Sequence, residues 1–74
     1  MYIVIEIQTN TDGTVGTIVN QYSNLNDAES KFHQILASAS ISEVPVHSAV
    51  IITNEGVTVR AECYNHGEHT DPVM

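Results

Sequence analysis

The sequence predicts an α+β domain of β-hairpin–helix–β-hairpin order (ββαββ), with a four-stranded antiparallel-type sheet and one helix on one face. Three observations carry that prediction. Asn26 to Ser40 puts Ala28, Phe32, Ile35, Leu36 and Ala39 on one stripe when wound at about 3.6 residues per turn. On either side of that stretch lie two segments with strand patterning, either alternating or apolar throughout. A glycine-containing turn joins each pair, Asp12-Gly13 in the first and Asn54-Glu55-Gly56 in the second.

Each element has its own reason. Tyr2 to Thr9 alternates, with Ile3, Ile5 and Ile7 on one face and Tyr2, Val4, Glu6 and Gln8 on the other. After Asn10-Thr11-Asp12-Gly13, Thr14 to Tyr22 reads as a second strand rich in Thr and Val, where Gly16 marks a bulge or a close backbone approach. Ser23 to Asn26 is polar. Asn26 caps the helix in this reading, and Glu29 three residues later completes a capping-box-like pair. The helix runs from about Asp27 to Ser40 and ends in small residues, Ala37 to Ser40, that allow close approach of another backbone. Ser42 to Pro45 stops it, because a proline disfavours a helical residue before it. Ser48 to Thr53 is the most apolar strand, with Ala49, Val50, Ile51 and Ile52 supplying both faces. Val57 to Tyr64 returns, Val57, Val59, Ala61 and Cys63 alternating against Thr58, Arg60, Glu62 and Tyr64. The domain is expected over residues 1–66, with the polar segment 67–74 as a disordered tail.

One helix covers one sheet face, yet both faces carry apolar side chains. A chain of 74 residues has only a small core to rely on. The pattern therefore predicts a homo-oligomer that covers what the helix leaves open.

Charge narrows the function classes. Lys31 and Arg60 are the only basic residues against nine acidic ones, a formal charge of −7. Nucleic acid needs clustered Lys and Arg to displace counterions, and an anionic membrane surface needs the same, so neither is an expected partner. An acidic surface serves solubility, or it competes with nucleic acid for a basic site on another protein. Glu6 interrupts the opening apolar run, which reads as a strand rather than a signal peptide or a membrane span. Cys63 is the single cysteine, which excludes an internal disulfide and suits a reducing, cytoplasmic compartment.

No catalytic motif stands in the chain. The glycines at 13, 16, 56 and 67 form no phosphate loop, and no serine sits in a GxSxG elbow. Cys63 and His66 are three residues apart and point to opposite faces of a strand, which is no nucleophile–base dyad. No enzyme and no cofactor are expected. Cys63-x-x-His66-x-x-His69, with Glu68 and Asp71 nearby, has donor types a zinc or nickel site uses. It lacks a second knuckle, however, and Cys63 occupies the slot of a small buried hydrophobe, so no metal is assigned.

His33 lies just off the helical core stripe and His47 opens the central strand. Either can simply satisfy a backbone carbonyl. In the functional reading, Tyr2, Lys31, His33, His47, Arg60 and Tyr64 line a pocket between subunits, where a planar anionic ligand stacks on Tyr and meets Lys or Arg.

Three stretches carry a resemblance: Met1 to Asn10 (MYIVIEIQTN), Lys31 to Ala39 (KFHQILASA), and Val44 to Val50 (VPVHSAV). They look like a family of short proteins from gut Firmicutes and their phages or mobile elements, and the likeness runs to about His66. The resemblance transfers no catalytic residue. It implies a context in the host bacterial cell, where small acidic phage proteins block defence systems by capturing a nucleotide signal or by occupying an effector. The expected function is a non-catalytic homo-oligomer that sequesters a small nucleotide-type signal; the alternative is an acidic inhibitor that binds a host defence protein directly.

Overall fold

Two glycine turns set the register of the sheet. In the first, Gly13 takes a positive φ of 89°, and Asp12 Oδ1 accepts from the Thr14 backbone N–H at 2.9 Å and from its hydroxyl at 2.7 Å. Gly56, with φ of 86°, closes the second, where Thr53 N donates to Val57 O at 2.9 Å. Both positions need the left-handed backbone that glycine adopts without a Cβ penalty.

The computed structural model describes residues 1–66; the expected tail, 67–74, lies outside the described residues. The elements are β1 (Tyr2–Thr9), β2 (Val15–Tyr22), α1 (Leu25–Ala39), β3 (Val46–Thr53) and β4 (Thr58–Asn65). All pairings are antiparallel in the order β2-β1-β3-β4, so the two hairpins meet along β1 and β3. The predicted ββαββ order is the one observed.

The helix start corrects the expected boundary. Asn24, not Asn26, is the cap: its Oδ1 accepts from Asp27 N at 2.8 Å while its Nδ2 donates to Asp27 Oδ2 at 3.1 Å. The sequence holds two overlapping Asn-x-x-acid frames, Asn24–Asp27 and Asn26–Glu29. The earlier frame wins and leaves Glu29 free for a partner on β4. The third strand likewise begins at Val46, immediately after Pro45, rather than at Ser48. A register shift between Ile51 and Ile52 interrupts the alternation expected through Val57 and Val59.

Pairing fixes which residues share a face. Val4 stands opposite Asn20 and Ile51, and Glu6 opposite Ile18 and Ala49, all on the side the helix covers. Ile5 stands in a row with Val19, Val50 and Ala61, and Ile7 in a row with Thr17, Ser48 and Cys63, on the other side. The core is Val4, Ala49 and Ile51 from the sheet with Ala28, Phe32 and Ile35 from the helix, flanked by half-buried Tyr2, Tyr22 and Leu36. Small side chains at Ala28, Ala39 and Ala49 let the helix lie close to the sheet. Cys63, expected as a buried hydrophobe, is exposed, because β4 is an edge strand and the helix lies on the opposite side. Among the described residues no helix is long and apolar enough to cross a membrane.

Candidate functional site

The helix side of the sheet holds Glu6, Gln8, His47, Arg60, Glu62 and Tyr64, and the candidate side chains fall into two groups. The first lies under the C-terminal end of α1. His47 Nε2 and Glu6 Oε2 are 2.7 Å apart, with side chains only 5% and 13% exposed. A carboxylate oxygen accepts, so the ring donates through Nε2, and Gln8 Nε2 donates to the same oxygen at 3.1 Å. His47 Nδ1 is then buried with no partner among the described residues. Tyr64 pairs across the strands with His47 and stacks on His66 at 6.0 Å with rings 8° apart. His66 in turn meets Ala39 O at 2.8 Å through Nε2, which donates to a helix-terminal carbonyl. That contact adds a side-chain donor to a carbonyl that also accepts from Ser42 N at 3.2 Å, at a helix end whose last turn carries no basic residue.

The second group lines a groove of about 270 Å³ between α1 and β4, bounded by Phe32, His33, Leu36, Val59, Arg60 and Glu62. Arg60 Nε donates to Glu29 Oε2 at 2.9 Å, and His33 Nε2 lies 3.9 Å from Glu29 Oε1. Both contacts are half-open to water, with Arg60 50% and His33 64% exposed, so each contributes roughly 0–1 kcal/mol. Their value is positional: they hold the guanidinium across the groove.

The six predicted site residues therefore occupy separate places within one chain. His33 and Arg60 come together on Glu29, and His47 and Tyr64 come together at the other end. Tyr2 packs on the core opposite Tyr22. Lys31 stands on the β2 side of the helix near Tyr22, Asp27 and Gln34, and makes no ion pair among the described residues. Cys63 and His66 look away from each other, Cys63 on the open face and His66 toward the helix. Among the described residues no group of three His, Cys, Asp or Glu is placed to hold a metal ion; His69, Glu68 and Asp71 lie outside them.

The residue that sequence reasoning left unpaired is Glu6. Its signal was present, a carboxylate on the same strand face as Tyr2 and Val4. Its partner became visible only once β1 was seen to pair with β3, which sets Gln8 opposite His47 and Glu6 diagonal to it.

These features define the chain as a small α+β protein with one helix on one face of a four-stranded antiparallel sheet. Compared with protein-family models, curated proteins and solved structures, it matches none.

Proposed function

We propose that this protein acts by binding, as a homo-oligomer, and that its helix layer engages a cationic surface on a partner protein. The observation that carries the reading is the pairing of Arg60 with Glu29 at 2.9 Å. An anionic ligand needs a cation, and here the guanidinium already donates its Nε–H to Glu29, with Glu62 beside it and Lys31 on the far side of the helix. What the layer offers outward is carboxylate. In the phage or mobile-element setting that the resemblance implies, the partner is a host defence protein in the bacterial cytoplasm, blocked by occupation of its basic site.

A second reading, a sponge for a small nucleotide-type signal, has one observation in its favour. Arg60 and the exposed His33 ring border one groove, where a base can stack on the imidazole and a phosphate can compete for the guanidinium.

The variant Glu29→Gln/Glu62→Gln separates the two, because it shifts them in opposite directions. A basic protein partner loses two charge contacts and binds more weakly, most visibly at low salt. A nucleotide gains a freed Arg60 and binds more tightly, and Arg60→Ala then removes about 1–3 kcal/mol. The assay is calorimetry against cyclic and ADP-ribose-type nucleotides, beside capture from host lysate read by mass spectrometry. Absence of nucleotide heat with salt-sensitive capture of one host protein supports the first reading. Nucleotide heat that grows in the double variant overturns it.

A further inference from the structure

The face of the sheet turned away from the helix differs from the rest of the surface. No charged residue among the described ones stands on it. Glu6, Arg60 and Glu62 point to the helix side, Asp12 and Glu55 sit in the turns, and the others lie on the helix or its connector. A chain of net charge −7 thus has one large surface on which a second, equally acidic copy meets no carboxylate.

The relief of that face complements itself. On β2, Val15 and Val19 stand out at 61% and 56% exposure. Toward β3 and β4 an open hollow of about 430 Å³ is lined by Ile7 and Val50, by the small side chains of Ser48, Ala61 and Cys63, and by the β4 position of Glu62, whose side chain turns to the helix side. A twofold axis parallel to the strands lays β2 of one copy over β4 of the other, so each ridge enters the partner's hollow. Four strands about 4.8 Å apart and eight residues long at about 3.4 Å each give roughly 500 Å² per copy. The total, about 1,000 Å², reaches the lower bound for a biological interface.

From these features we infer that two copies pack through their uncharged sheet faces as a β-sandwich, with β2 of each seated on β3 and β4 of the other. The inference rests on the homo-oligomer part of the proposed function and names its interface. Isoleucines 3, 5 and 7, half-buried in one chain, become the centre of a second core about 10 Å thick.

Thr17→Cys tests the arrangement, since Thr17 and Cys63 share a row at opposite edges of the sheet. Within one chain they are three strand spacings apart, about 14 Å, and facing strands of the sandwich lie about 10 Å apart, both beyond the ~7 Å that a direct disulfide bridges. A short bis-maleimide, each of whose rings adds one thiol with no change of oxidation state, spans the facing sheets, and a covalent dimer arises only when it joins two copies. It is expected to give that dimer from Thr17→Cys. The native chain and Thr17→Cys/Cys63→Ser are expected to give none, because the twofold sends like cysteines to opposite edges. Val19→Asp, at an exposed position, is expected to keep the native circular dichroism and to sediment as an 8.1 kDa monomer. A native dimer whose Thr17→Cys variant forms no cross-link between position 17 and Cys63, or one that forms a Cys63–Cys63 cross-link, overturns this interface and leaves the homo-oligomer reading standing. A native monomer at every concentration overturns both.

Discussion

Replacing Glu6 with leucine leaves His47 beneath the helix with no acceptor at either ring nitrogen. At 5% exposure the ring has no water to substitute, so the stranded donor costs about 1–3 kcal/mol. His47→Leu strands Glu6 less severely. Its carboxylate is 13% exposed and keeps the Gln8 donor at 3.1 Å, so the expected cost is at the lower end, about 1 kcal/mol. The double variant removes donor and acceptor together and puts apolar side chains against an apolar layer, which is close to neutral. The coupling energy from the cycle is therefore about 2–4 kcal/mol. In a domain of this size each kcal/mol moves the melting point by roughly 4–8 °C, so Glu6→Leu melts well below the double variant. Urea unfolding of all four proteins at one fixed concentration measures it, which holds any contribution of self-association constant. Single costs that simply add in the double variant, to within about 0.5 kcal/mol, refute the claim that the pair is one unit.

Two further outcomes follow from local geometry. Donation by the Thr14 backbone N–H, and then by its hydroxyl, holds the Asp12 carboxyl below the usual carboxylate range. A lowered folded value means the stabilisation is present at neutral pH and is lost as pH falls through that value. Amide exchange at the β1–β2 turn is thus slower in the native chain than in Asp12→Ala at pH 7, and the difference disappears in strong acid; a pH-independent difference contradicts the assignment. At the helix start, Asn24→Ala costs about 1 kcal/mol in urea unfolding while Asn26→Ala is nearly silent. The reverse order would return the cap to Asn26.

Element types were legible because each rests on local chemistry: Asp12-Gly13 for the first turn, the Ala28–Phe32–Ile35–Ala39 stripe for the helix, Pro45 for its end. The covered face was not. Ile3, Ile5 and Ile7 are the more apolar set in β1, yet the helix lies on Tyr2, Val4 and Glu6. Ala49 on that side is small enough to admit the helix, and Glu6 finds its donor in His47, neither of which shows without the pairing of β1 with β3. The same gap hid the grouping of the candidate site. His33 and Arg60 are joined only because Glu29, read as a capping residue, instead turns outward to β4.

The strand order also dictates how the chain must complete itself. β1–β2 and β3–β4 each close over a short turn, which is fast and entropically cheap. The seam between β1 and β3 has no turn of its own: Tyr2 pairs with Thr53 and Thr9 with Val46, closing a loop that includes the whole helix. Loop-closure entropy at that seam comes due before any of its pairing is gained, so zipping the two halves together is the slow event. Until it closes, each half presents an unpaired strand that fits another molecule's half as well as its own. The seam is therefore where folding at high concentration has a route to strand-swapped dimers.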